Sequence, residues 1–320
     1  MKHFRHILCI LDGGELTGPL LERAVSLAEN NQARLTCAAA IPERPTGVPP
    51  PLDPSLAADP LARLSSERLA ALAAATRGYA GRVSIDCQVL VGRPFIETVH
   101  AVLRDGYDLV LKEAEDPKFL PRLFGSDDMH LLRKCPCPVW LVKPGGSANY
   151  GTILASVDLD LEGAPPEVAE LNRRILALAS SLAVSDFATL HVLHVWDAPG
   201  EGIIRSWSDD PELSALRYVQ GERQRRELGM ERLRRNLGEV LGAAATGYLS
   251  PHFHLIKGAP PEAIPAMAAR LQADLVVMGT LGRTGISGLI IGNTAEAVLE
   301  QLQCAVLAVK PHGFVSPVTL

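Results

Sequence analysis

Between Gly279 and Glu296 the sequence reads GTLGRTGISGLIIGNTAE, following the apolar run DLVVM and preceding a segment of helical period. Gly279 and Gly282 are separated by two residues; nine more, Arg283 to Ile291, lead to Gly292, Asn293 and Thr294. A strand, a glycine turn and a helix start in that order make an anion cradle. Glycine lets the backbone approach closely, and the unpaired N–H groups of a helix beginning near Thr294 point at an incoming phosphate. The chain has no G-x-x-x-x-G-K-[ST] loop, and these glycines do not give G-x-G-x-x-G, so two common phosphate motifs are excluded. A second constellation is His252 and His254, which project from one face of a strand, with His191 in the strand expected beside it. Zinc would need a further ligand and an open environment, so satisfied or exposed imidazoles are the favoured reading. Cys135 and Cys137 are spaced C-P-C rather than C-x-x-C and read as structural, as do Cys9, Cys37, Cys87 and Cys304 in apolar stretches.

The elements that must position the cradle occur twice. HILCILD at 6–12 recurs as TILASVD at 152–158, and CPVWLVKP at 137–144 recurs as CAVLAVKP at 304–311. VLVGRPFIETV around Gly92 matches HLIKGAPPEAI around Gly258, and DLVLK at 108–112 matches DLVVM at 274–278. The offset grows from 146 residues at the first strand to 166 at these later landmarks, so the second copy carries about 20 extra residues before its third strand. Three parts are expected: a domain over 1–145, a second over 150–312, and a tail over 313–320, with the linker at Gly145 to Asn149.

In the second copy, strand-like runs lie at 152–157, 189–196, 253–256, 274–278 and 304–309, and helical patterns at 168–182, 211–245, 261–272 and 294–301. The alternation predicts an α/β fold, each domain a five-stranded parallel sheet with helices on both faces. In the first copy the proline-rich segment 42–60 reads as a loop. The final strand of each copy is apolar and would be an open sheet edge, so the two are expected to pair, making the chain an intramolecular pseudo-dimer.

With 36 acidic against 31 basic residues, the net charge of -5 argues against a surface that tracks nucleic acid. Arg223, Arg225, Arg226, Arg232, Arg234 and Arg235 cluster on one helix, but Glu222, Glu227, Glu231 and Glu239 interrupt them, as on a solvated amphipathic helix. No uncharged apolar run approaches the ~18 to 20 residues of a membrane span, and the run from Ile7 to Leu11 is too short for a secretory segment. A cytoplasmic protein without a membrane or nucleic-acid partner is expected.

The 2-and-9 glycine spacing in its strand-to-helix context, on a duplicated α/β chain, resembles the G-2x-G-9x-G-(S/T) nucleotide motif of the universal stress protein family, in its tandem-domain form. The resemblance implies a five-stranded parallel sheet of Rossmann-like, adenine nucleotide alpha hydrolase-like type, ATP as ligand with or without magnesium, and pairing through the last strand. It also implies site residues: Asp158, ending the first strand, against adenine; Val195, beside His194, along the base; Gly279 and Gly282 near ribose and phosphates; Gly292, Asn293 and Thr294 at the phosphate end. Asn293 stands where the family has Ser or Thr, and an amide can still donate to a phosphate oxygen. Arg283 reads either as a phosphate partner or as a solvated loop cation.

In the first copy Glu113 and Asp116 stand at the positions of Gly279 and Gly282, and the spacing to Gly125 is one residue shorter. Like charges about 4 Å apart cost on the order of 4 kcal/mol at an effective dielectric near 20, so this copy is expected not to bind ATP. The favoured function is a regulatory stress protein with one nucleotide site in the second domain and an unnamed protein partner. Slow ATP hydrolysis and metal binding are the alternatives. No obvious general base stands near the cradle: Asp158 would face the adenine, and the segment 279–296 offers only Glu296, set one turn into a helix. The sequence leaves association of two chains through the tail open.

Overall fold

The computed structural model describes residues 3–12, 16, 18–43, 55–115, 124–159, 166–280 and 292–320, with the side chains of 55–59, 240 and 242–246 excepted. These residues form two compact units. One holds the chain up to Asn149 together with Cys304–Leu320; the other runs from Tyr150 to Thr280 and adds Gly292–Gln303.

In the first unit β1 (His6–Ile10), β2 (Arg34–Ile41), β3 (Ile85–Val91), β4 (Leu109–Glu113) and β5 (Val139–Val142) alternate with α1 (Pro19–Asn31), α2 (Ser55–Thr76), α3 (Pro94–Asp105) and α4 (Ser126–Lys134). The strands run parallel in the order β3-β2-β1-β4-β5. Leu8, Leu35, Leu109, Leu111 and Trp140 are fully buried, as expected of strands covered on both faces. The helices start and stop on local signals: Pro19 opens α1, which ends at Gln32 in the left-handed region, and Pro94 opens α3, which ends at Gly106 with φ 71°.

The last strand of the chain, β10 (Ala305–Val309), belongs to this first unit. It runs antiparallel to β5, with Val306 opposite Leu141, Leu307 opposite Trp140 and Ala308 opposite Val139. All five of its residues are buried. The expected pairing of the two final strands is therefore present, and β10 closes what would otherwise be an apolar edge.

The second unit contains β6 (Thr152–Ser156), β7 (Thr189–Trp196), β8 (His252–Lys257) and β9 (Leu275–Gly279), parallel in the order β9-β6-β7-β8. Its helices are α5 (Pro166–Asp186), α6 (Glu201–Trp207), α7 (Pro211–Leu249), α8 (Pro260–Leu271) and α9 (Asn293–Leu299).

Two local expectations are corrected. The stretch 42–60 is not loop throughout, because α2 begins at Ser55 and contains Pro60. Proline there removes a single i→i−4 bond near the start of a 22-residue helix, a loss the following Leu- and Ala-rich turns outweigh. The short helix α6 lies between β7 and α7, where no helix was expected; Glu201 anchors it to β8 through an ion pair with Lys257. Among the described residues, no helix is long and apolar enough to cross a membrane.

Candidate functional site

Strand register gathers part of the expected site. Ser156 stands opposite Leu193 of β7 and Met278 of β9, so two residues further along Asp158 comes level with Val195 and Thr280. All three lie just past or near the carboxyl ends of adjacent parallel strands, where open α/β sheets place ligands. The Val157 N–H donates to the Leu193 carbonyl at 2.9 Å, which extends the β6–β7 ladder toward the site.

The Asp158 backbone is clamped by a side chain of α5. The buried Asn172 of α5 accepts from the Asp158 N–H at 3.1 Å and donates its amide to the Asp158 carbonyl. The Asp158 side chain is left 41% exposed, 3.8 Å from Nδ1 of the buried His194, which also lies 3.1 Å from the Val157 carbonyl. Val195 is half-buried. A sharp carboxylate acceptor beside a half-buried apolar residue suits a planar heterocycle with an exocyclic amine. A cavity of about 330 Å³ opens alongside, between α5 and α7, lined by Leu159, Asn172, Leu176, Leu233, Asn236 and Leu237.

Gly279, the last residue of β9, faces α5. A Cβ there would stand 2.7 Å from Leu171 Cδ2 and 3.3 Å from its Cγ, so the glycine admits the helix against the strand end. The Thr280 carbonyl accepts the Gly292 N–H at 2.8 Å, drawing the start of α9 to the end of β9. Gly292 caps α9 in ordinary extended geometry, φ -64° and ψ 141°. Asn293 and Thr294 are exposed in its first turn, where backbone N–H groups lack helical acceptors. Gly282 and Arg283 lie outside the described residues.

One residue that sequence reasoning missed sits inside this arrangement. Thr280 is fully buried, and its Oγ1 has no hydrogen-bond partner among the described residues. An orphaned hydroxyl of this kind costs roughly 1–3 kcal/mol unless something supplies a partner. Its only sequence signal is its place in the row after an apolar strand.

The first unit builds the corresponding region differently. Asp12 Oδ1 accepts the Ala40 N–H at 2.7 Å, and burial raises its pKa, partly countered by that bond and by Lys112. Asp128, in the first turn of α4, has no exposed surface. Its Oδ1 takes the Lys112 ammonium at 2.9 Å, while Oδ2 accepts the N–H groups of Glu115 at 2.7 Å and Gly125 at 3.2 Å. Burial opposes the Lys112 charge, but Asp128 beside it prevails and raises the lysine's pKa. The Glu115 carboxylate covers Gly125 so closely that a Cβ would fall 1.8 Å from its Oε2, and burial together with Asp128 raises its pKa. Glu113 accepts the Gly145 N–H at 3.3 Å, which directs it to the linker. Asp116 lies outside the described residues. By alignment Lys112 and Asp128 correspond to Met278 and Ala295, so the second unit has no internal carboxylate at this place.

The histidines do come together: His191 Nδ1 is 2.9 Å from His254 Nε2, and the His191 ring stacks on His252 with centroids 5.0 Å apart. Burial and the neighbouring imidazoles lower the pKa of His191 to about 4. Among the described residues no group of three or more His, Cys, Asp or Glu has an arrangement fit to hold a metal ion.

The sequence model of the universal stress protein family matches residues 3–143 and again 169–310. Universal stress protein E of Escherichia coli K12 is 32% identical over 324 residues, covering all of this chain and 98% of the relative. A crystal structure of a functionally unknown protein from Pseudomonas aeruginosa PAO1 superposes with a TM-score of 0.68 at 26% identity, covering 96% of this chain and 93% of the other. A universal stress protein from Archaeoglobus fulgidus shares the fold, with a TM-score of 0.61 at 20% identity over 95% of this chain and 98% of that one. Two matches to one family model, a full-length relative and a duplicated α/β architecture agree: the chain belongs to the universal stress protein family and carries two of its domains in tandem.

Proposed function

We propose that the protein is an ATP-binding regulatory stress protein with one nucleotide site, in its second unit. The reading rests on the row formed by Val195, Asp158 and Thr280, closed at one end by the Gly292 N–H on the Thr280 carbonyl. Asp158 would accept from the adenine amine and Val195 would pack on the base. The segment from Gly279 through Gly282 and Arg283 to Gly292, Asn293 and Thr294 would carry ribose and phosphates. The buried Thr280 hydroxyl supports such a ligand, because among the described residues this donor at the start of the glycine segment has no acceptor.

The first unit supports a single site by contrast. Asp128 already takes an ammonium and two backbone N–H groups, a donor set of the kind that would otherwise hold a phosphate oxygen. A nucleotide there would meet an internal anion and the Glu115 carboxylate. Among the described residues the carboxylates near the row are Asp158, which would face the adenine, and Glu296, which lies inside α9, so the reading is of binding rather than turnover. Isothermal titration with ATP, with and without magnesium, tests the reading: wild type binds, and Gly282→Asp does not. Phosphate release well above background that disappears in Gly282→Asp would replace it with the hydrolytic reading.

A further inference from the structure

A second set of reactive groups lies in the first unit, far in sequence from the glycine segment. Cys135 ends α4, its N–H bonded to the Leu131 carbonyl at 2.9 Å, and Pro136 turns the chain so that Cys137 follows at once. The two Sγ atoms are 3.5 Å apart, and both cysteines are free thiols. Lys310, immediately after β10, reaches the same place. It is 1% exposed, donates to the Leu132 carbonyl, and holds its Nζ 4.6 Å from the centre of the Phe314 ring.

Capping the last turn of α4 explains a cation at a helix C-terminus. It does not explain why two thiols share that cation's apolar surroundings. Burial pushes the Cys135 thiol up, but hydrogen bonds from the Cys137 side chain and backbone, with the Lys310 charge, outweigh it and lower its pKa. Burial and the adjacent Cys135 sulfur raise the pKa of Cys137. Burial lowers that of Lys310 to about 8, against the opposing pull of both sulfurs. Of the two neighbouring sulfurs Cys135 is the readier to ionise and Cys137 the readier to keep its proton, the division of labour of an attacking and a resolving cysteine.

We propose that Cys135 and Cys137, their sulfurs 3.5 Å apart at the end of α4 where the buried Lys310 caps the Leu132 carbonyl, are a redox-active dithiol, oxidised to an internal disulfide by a small hydroperoxide that Cys135 attacks. The Cys135 sulfur attacks the terminal peroxide oxygen; an S–O bond forms, the O–O bond breaks, and the leaving alkoxide or hydroxide takes up a proton. Cys137 then attacks the sulfenic sulfur, and the S–S bond forms as hydroxide departs with the Cys137 proton as water. The pair loses two electrons and the peroxide gains them. A cellular dithiol reverses the step by exchange. Cys135 is fully covered and Cys137 is 7% exposed, so the reaction favours oxidants near the size of water and is that of a sensor rather than a scavenger.

The test treats the full-length protein with hydrogen peroxide, then alkylates and maps it by mass spectrometry. Two of the six thiols are expected to disappear, the chain to become two hydrogens lighter, the bridge to map to Cys135 and Cys137, and dithiothreitol to restore all six. Cys137→Ser is expected to accumulate a sulfenic acid on Cys135 that dimedone traps. Lys310→Met is expected to slow the loss roughly three- to tenfold, a lower thiolate fraction partly offset by higher nucleophilicity. Six thiols surviving peroxide that fully oxidises glutathione, a bridge at Cys9 and Cys37 instead, or a Lys310→Met rate equal to wild type would each overturn the proposal. Should Lys310→Met fail to fold, the dimedone result decides alone: no adduct on Cys135 refutes it.

Discussion

The internal anion of the first unit can be taken apart one half at a time. Asp128→Ala leaves the Lys112 ammonium buried without its carboxylate and strips the N–H groups of Glu115 and Gly125 of their acceptor. Removing one partner of a buried pair costs about 3–5 kcal/mol, most of it the stranded charge. The double variant Lys112→Met with Asp128→Ala installs the residues found at the matching places of the second unit, Met278 and Ala295. It removes the charge together with its partner, leaving only the half-buried Glu115 N–H and the buried Gly125 N–H without their acceptor, so it should recover about 2–3 kcal/mol of the single-variant loss. Urea unfolding followed by far-ultraviolet circular dichroism reads all four corners of the cycle, with each unit's transition fitted separately. A double variant as destabilised as the sum of the two single variants would refute the internally compensated pair.

Other consequences follow from the same geometry. His191 titrates near pH 4 in the folded chain against an ordinary 6.5, and the pKa of His254 is lowered too. Their folded values lie below the unfolded ones, so the unfolded chain binds more protons between about pH 6.5 and 4 and stability falls as pH drops through that window. His191→Gln should flatten the urea midpoint measured across it; an unchanged slope would contradict the stacked, half-desolvated cluster. Asn172→Ala removes both bonds to the Asp158 backbone and should cost about 1–3 kcal/mol while weakening ATP binding. Full affinity in that variant would show that Asp158 needs no clamp.

Local pattern was enough to read the strands, their parallel pairing and the duplication, because strands buried on both faces are near-continuous apolar runs such as LVLK and LVVM. The end of β10 in the first unit follows from an edge needing a partner, and that too was visible in CAVLAVK. The remainder depended on contacts distant in sequence. Lys112 in β4 and Asp128 in the first turn of α4 were not singled out from the sequence, because only the fold shows them to be each other's partner. Cys135 and Cys137 read as structural because the C-P-C spacing says nothing about Lys310, which arrives from more than 170 residues away. Proline content misled at Pro60, where neighbouring Leu and Ala residues sustain a helix. Thr280 carried no motif at all; its burial beside a carboxyl-terminal strand end is a property of register.

The one-site claim is the most exposed of these. Titration of nucleotide-free protein with ATP should give one site per chain, abolished by Gly282→Asp and unaffected by Glu113→Gln in the first unit. Two equivalent sites, or none in the wild type, would contradict it.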